Sequence, residues 1–267
     1  MKITVIGAGN MGGALAKGWA KAITSGKAEG LEVTVADRAV AALEKIGGEF
    51  PVLHTTSSNT DAVKGADIVM LAVKPWLVEI VANEIKDVLD YSNQIIVSIA
   101  AGVTTEKLSA MLDKDGNVPS TFYVIPNIAA EYGASMSFVS AAKGVSAEKI
   151  AQVEELFGFV GDTKVVEEKL VAPGMMMASC GIAYVMRYLR AQMEGGVEMG
   201  FYPADALDIA LQTMQGAVSL LKETGWHPEV AIDKVTTPGG VTIKGLNELD
   251  HSGFNSAVIR SLKAGLK

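Results

Sequence analysis

Six short apolar runs punctuate the first 140 residues: KITVIGA (2–8), EVTVADR (32–38), IVMLAVK (68–74), IIVSIAA (95–101), TFYVIPN (121–127) and SMSFVS (135–140). Their hydrophobic positions are nearly continuous rather than alternating, as in strands covered on both faces. Between them lie stretches with helical spacing, among them GGALAKGWAKAIT (12–24) and LVEIVANEIKDVLD (77–90), and SAEKIAQVEELFGFV (146–160) follows the last. Strand and helix in alternation predict a parallel, doubly wound α/β sheet of the Rossmann type. Beyond TKVVEE (163–168) the pattern turns helical almost throughout, with long elements over 169–200, over 203–224 and toward the C-terminus. The pattern divides the chain into 1–165, a dinucleotide-binding domain, and 166–267, an all-α domain.

Composition narrows the classes. The 267 residues are 49% hydrophobic and 20% charged, the balance of a folded protein with a real core. The net charge of −7 argues against a nucleic-acid surface or an anionic membrane as partner. Any anion must therefore be held by local geometry. The lone Cys180 permits no intrachain disulfide, and the N-terminus enters a strand with no basic leader, so a cytoplasmic location is expected. The uncharged segment 170–186 approaches membrane-spanning length, but Pro173, Gly174, Gly181 and Ser179 interrupt it. A helix buried at a subunit interface fits better, and a domain of about a hundred residues could scarcely cover it alone. No membrane partner and no metal site are expected. The MMM run (175–177) reads as core filling.

The first chemical motif is Gly7-x-Gly9-x-x-Gly12, within GAGNMGGA. It follows an apolar strand and opens a helix, the context a dinucleotide fingerprint requires. Gly7 permits the tight turn, Gly9 the approach of a pyrophosphate, and Gly12 close packing of helix on strand. Ala8, Asn10 and Met11 complete the cradle, whose free N–H groups face the phosphates. The second strand ends in Asp37-Arg38. An acid there suits the ribose hydroxyls of NAD, whereas an adjacent arginine suits the 2′-phosphate of NADP. The expectation is NADPH, with NADH also admitted. The third strand ends at Ala72-Val73-Lys74-Pro75, and the proline leaves Lys74 at the carboxyl edge of the sheet, beside IAAG (99–102, with Ala101) and IPN (125–127, with Asn127).

These motifs, with AAGV, the GIAYV helix and VTTPGGVTIKGL (235–246), stand in the order and near the spacing of pyrroline-5-carboxylate reductases, a family the chain resembles from Gly7 to the last helix. The PGG-x-T-I stretch is the most specific part. The resemblance implies reduction of Δ1-pyrroline-5-carboxylate, a small imino acid, to L-proline by NAD(P)H. It also implies a helical domain that interleaves with a partner's in a homodimer, in some relatives assembled into a larger ring. It places Thr242 near the ring nitrogen as the catalytic hydroxyl, Glu168 beside the substrate and Asn59 at the cofactor. Physical reasoning adds that the amides of Gly239, Gly240, Val241 and Thr242, at a helix start, can receive a carboxylate without a cation, with Thr237 supplying a hydroxyl. Little else is demanded, because a protonated imine is already electrophilic and the cofactor carries the hydride. His54, His227 and His251 lie outside the motifs and are expected to be surface or structural residues.

The chain departs from the pattern mainly in the expected pocket wall. ASCGIAY (178–184) replaces SGSGPAY, Met175 stands where threonine is common, PNIA (126–129) replaces PNTP, Trp76 follows AVKP, and Lys234 replaces an asparagine. The changes bear on substrate identity and rate more than on reaction type. Other readings are a related imino-acid reductase, a β-hydroxyacid dehydrogenase or a non-catalytic dinucleotide sensor. The dehydrogenase relies on a lysine in the long helix, yet no lysine occurs between Lys169 and Lys222.

Overall fold

The computed structural model describes residues 1–266, which form two compact units, the first Met1–Ser179 and the second beginning at Cys180. In the first unit the order is β1 (Lys2–Ile6), α1 (Asn10–Thr24), β2 (Glu32–Ala36), α2 (Val40–Glu49), β3 (His54–Thr56), α3 (Asn59–Val63), β4 (Ile68–Leu71), α4 (Val78–Ile85), β5 (Ile95–Ser98), α5 (Thr105–Leu112), β6 (Ser120–Ile125), β7 (Ser135–Ala141), α6 (Ala147–Gly158), β8 (Gly161–Val165) and a short helix α7 (Val171–Gly174). The eight strands form one sheet in the order β3-β2-β1-β4-β5-β6-β7-β8. The strand order reverses between β1 and β4, the switch point at which open α/β sheets bind ligands.

Successive strand residues serve opposite faces, as the pleat requires. Ile3, Val5, Ile68, Met70, Ile95 and Val97 enter one core with α1, α2 and α6, while Ile6, Val69, Leu71 and Ile96 enter another with α3, α4 and α5. The continuous hydrophobicity of the central strands follows from this double coverage. Trp19 anchors the first core. Its side chain is fully buried, its Nε1 donates to the Leu156 carbonyl at 2.8 Å, and its ring meets Phe157 edge-on at 5.9 Å.

Three features depart from the expected sheet. All pairs are parallel except β6 with β7, which is antiparallel. The connection between them (126–134) is too short for the crossover that parallel strands need. Two further strands, β3 and β8, lie at the edges. Their polar sequences, HTT and GDTKV, carry no buried stripe, so backbone pairing to β2 and β7 is what makes them strands. Residues 166–179, expected to open the helical domain, pack instead with the first unit, where Val171 joins Tyr123 and Ile125.

The second unit contains α8 (Gly181–Glu198), α9 (Pro203–Thr224), α10 (Pro228–Lys234), α11 (Val241–His251) and α12 (Phe254–Ala264). Helices α8 and α9 form a close hairpin, where a Cβ on Gly196 would lie 2.9 Å from that of Ala206. Tyr188 and Phe254 bring α8 to α12, with ring centroids 6.2 Å apart. Yet few side chains here are buried. Val185, Met186, Ile209, Val218 and Ile259 are each between 47% and 56% exposed. Through a π-helical turn at Met175–Ser179, α7 and α8 form a helical stretch, Glu168–Glu198, long and apolar enough to cross a bilayer by length and composition alone, with 17% of its most apolar window buried. Within the MMM run Met176 is buried and Met177 is 69% exposed, so core filling describes only part of it.

Trp19→Ala is expected to cost about 3–5 kcal/mol in chemical denaturation, from lost contacts and the cavity left behind; a loss below about 1 kcal/mol would disprove its anchoring role. The bare apolar helices predict a light-scattering mass of at least twice the 27.9 kDa of one chain, and a monomer would contradict that.

Candidate active site

Strands β1, β2 and β4 end together on one edge of the sheet, and a cleft of about 640 Å³ opens there. Its floor is the turn from β1 to α1. Gly7 takes φ +113, and a side chain there would press 2.5 Å from the Ala72 carbonyl oxygen. A Cβ on Gly12 would lie 2.0 Å from the Gly7 carbonyl oxygen, so the two glycines seat α1 against the end of β1 and β4. Gly9 caps α1 in an extended conformation, no side chain caps it, and no acid lies in the first turn. The helix therefore presents bare amides and the positive end of its dipole to the cleft.

Of the residues expected at the cofactor, Gly7, Gly9, Asn10, Met11, Asp37, Arg38, Asn59, Ala72, Val73, Lys74, Pro75 and Ala101 line this cleft. Three do not. Gly12 sits behind the wall as a packing residue. The amide of Ala8 donates to Asp37 Oδ2 at 2.6 Å, so that N–H orients the carboxylate and is not left for a phosphate. Asn127 is buried and turned inward. Its Oδ1 accepts from the Ala129 amide at 3.0 Å, and its Nδ2 reaches the Ala178 carbonyl at 3.4 Å. It caps the turn between β6 and β7.

The electrostatics at the β2 end were not legible in the sequence. Asp37 Oδ1 also accepts from the Ala39 amide at 2.8 Å, which fixes both carboxylate oxygens. The Arg38 guanidinium donates to Glu84 Oε2 at 3.0 Å, and Asn59 Nδ2 donates to the same oxygen at 3.1 Å. Asn59 Oδ1 is buried and has no hydrogen-bond partner among the described residues. A buried acceptor without a donor is costly, and a ligand hydroxyl is the kind of group that would complete it. A turn that admits no side chain, a bare helix start, an anchored carboxylate and this orphan acceptor together fit a dinucleotide. Lys74 is exposed at the end of β4, with no ion pair among the described residues.

The other expected site lies in the second unit. Thr237-Pro238-Gly239-Gly240 forms a tight turn closed by the Gly240 amide donating to the Thr237 carbonyl at 3.0 Å. Gly239 takes φ +74, which suits proline and glycine at the two centre positions of a type II turn. Gly240 then caps α11, again extended, again with no side-chain cap and no acid in the first turn. Thr237, Gly239, Val241 and Thr242 are exposed. Glu168 belongs to the first unit, where its Oε2 accepts from the Thr105 amide at 2.9 Å and helps cap α5. Close by, the Tyr123 hydroxyl accepts from the Gly102 amide at 3.0 Å; burial, with the Glu168 charge as a lesser cause, holds this phenol above its ordinary pKa and therefore protonated at neutral pH. His227 Nδ1 accepts from the Glu229 amide at 3.3 Å and caps α10, a structural use. Among the described residues no group of three or more His, Cys, Asp or Glu could hold a metal ion.

Residues 168–267 match the family model described as pyrroline-5-carboxylate reductase dimerisation, and residues 2–102 match one described as NADP oxidoreductase, coenzyme F420-dependent. Pyrroline-5-carboxylate reductase 1 of Dictyostelium discoideum is 34% identical over 97% of this chain, which spans about half (48%) of that protein's length. The Arabidopsis thaliana pyrroline-5-carboxylate reductase is 32% identical, with 100% of this chain and 93% of that protein covered. The crystal structure of the Plasmodium falciparum pyrroline carboxylate reductase with NADP bound superposes with a TM-score of 0.85 at 25% identity, covering 99% of this chain and 95% of that one. A Rossmann unit with a glycine-floored cleft, a helical unit matched by a dimerisation model and full-length likeness to the plant enzyme have one explanation: the chain belongs to the pyrroline-5-carboxylate reductase family.

Proposed function

We propose that the chain reduces Δ1-pyrroline-5-carboxylate to L-proline with NAD(P)H, as a homo-oligomer. The observation that carries the substrate assignment is the bare N-terminus of α11 behind the Thr237–Gly240 turn. A small carboxylate would accept hydrogen bonds from amides of Gly239, Gly240, Val241 and Thr242, aided by the helix dipole. This needs no cation, in keeping with the net charge of −7. Thr237 Oγ1 lies within the same turn, where an added Cβ on Gly240 would approach it to 2.6 Å, and its hydroxyl is a further donor.

When bound, the nicotinamide supplies the hydride. The chain's residues bind, orient and exclude water. The turn at Gly7–Gly12 and the carboxylate of Asp37 position the dinucleotide, with Asn59 Oδ1 accepting from one of its hydroxyls. The Thr242 hydroxyl hydrogen-bonds the ring nitrogen and holds its protonated, electrophilic form. Glu168 keeps Oε1 free of hydrogen bonds among the described residues and is assigned to the substrate side, while Oε2 holds α5. We further assign the chain to the cytoplasm and propose that dimers assemble into a larger ring. The single cysteine supports the first; the apolar residues left bare on α8, α9 and α12 support association of copies, from which the ring is an extension.

The direct test follows reduced-cofactor absorbance in a mixture of protein, NADPH and pyrroline-5-carboxylate. Binding of cofactor without its consumption would favour a sensor and overturn the reading. Thr242→Ala is expected to lower kcat/KM for the imine by about 10- to 100-fold, the low end of a lost proton-transfer contact, with the Kd for cofactor within about twofold of the parent. Equal losses in both would remove Thr242 from the substrate.

A further inference from the structure

The NADPH-or-NADH question posed by Asp37-Arg38 turns on a residue outside both motifs. We infer that Glu84, on α4, is the specificity-determining residue of the nucleotide cleft: it competes with a 2′-phosphate for Arg38 and so disfavours the phosphorylated dinucleotide relative to NADH.

Three observations carry this. First, Arg38, the cation expected to meet a 2′-phosphate, is already engaged by Glu84 Oε2 at 3.0 Å. Second, Glu84 is anchored independently of Arg38. Asn59 Nδ2 donates to the same oxygen at 3.1 Å, and Asn59 is only 4% exposed, so its position is set by packing. The Arg38 side chain, by contrast, is 73% exposed and can swing away. An exposed pair of this kind contributes little and breaks readily. To engage Arg38, a 2′-phosphate must therefore displace it from a carboxylate that stays in place. Third, Asp37 is also held at the cleft, by two backbone amides. At the end of β2, then, one cation, Arg38, stands against two carboxylates, while Lys74 lines the cleft from the end of β4. A 2′-phosphate would add about −1.5 to −2 to that balance, whereas a 2′-hydroxyl adds no charge and can donate to Asp37. The competition acts on the phosphate alone, so it changes the ratio of the two affinities and not the fit of the rest of the nucleotide.

The inference rests on the dinucleotide reading of this cleft, and the test separates the two. Binding of NADPH and of NADH to the whole 267-residue chain is measured by isothermal titration calorimetry with no imine present. Glu84→Gln keeps the shape and a partner for Asn59 but removes the charge. It is expected to tighten NADPH about tenfold, roughly one strong charge contact, and to change NADH less than about twofold. Glu84→Ala should shift the ratio the same way. In an Arg38→Ala background, Glu84→Gln should lose most of this gain, because the competition has lost its object. An NADPH/NADH ratio unchanged by either Glu84 substitution overturns the inference and leaves the cleft's assignment standing. A full gain that persists without Arg38 overturns the competition and reduces Glu84 to direct repulsion. Failure of the parent protein to bind either dinucleotide overturns the assignment and the inference together.

Discussion

The contact on which the molecule turns is a backbone-on-backbone one. Helix α1 reaches the end of β1 only because Gly12 has no side chain to strike the Gly7 carbonyl oxygen, 2.0 Å from where a Cβ would sit. Gly7 in turn lies against the end of β4 at Ala72. This one close approach fixes the angle of α1, brings β1 and β4 together at the reversal of strand order, and points the unsatisfied amides of the helix into the space between them. Trp19, about two turns further along the helix, locks α1 against α6 through Phe157 and the Leu156 carbonyl. The core and the cleft are thus set by the same helix.

The same local solution occurs twice. Gly9 begins α1 at φ −69, ψ −171, and Gly240 begins α11 at φ −67, ψ 174, both without a side-chain cap. Elsewhere, α3, α5 and α6 are capped by Ser58, Thr104 and Ser146 in the ordinary way. Where a serine or threonine would spend its oxygen on the helix, glycine leaves the amides for something else. A chain of net charge −7 can thereby offer two sites suited to anions without a basic surface. In the first cleft lysine and arginine enter at Lys74 and Arg38, and Arg38 is paired with Glu84.

The helical unit has a different constraint. Its length and apolar content are those of a packed domain, but its hairpin of α8 and α9 buries chiefly small residues, such as Gly196, Ala206 and Ala210. The larger apolar side chains face outward. Such a surface is stable in water only when something covers it, and the match of 168–267 to a dimerisation model supports another copy as the cover.

The sequence alone determined whatever depends on neighbours along the chain. The central strands showed as apolar runs, α9 as a periodic stretch from Pro203, and the two glycine turns as patterns whose dihedrals few other residues tolerate. The order of its motifs carried the family. Tertiary structure decided what depends on residues far apart. Polar edge strands β3 and β8 exist because a neighbouring strand pairs with them, and β7 runs antiparallel because its connection is short. Asn127, expected at the cofactor, also caps a turn, and Glu168, expected at the substrate, also holds α5. Glu84 could not be found from the sequence because it is 46 residues from Arg38 and 25 from Asn59. A dihedral preference acts within a few residues and is written there, but a charge acts through space, and only the fold says which charges meet.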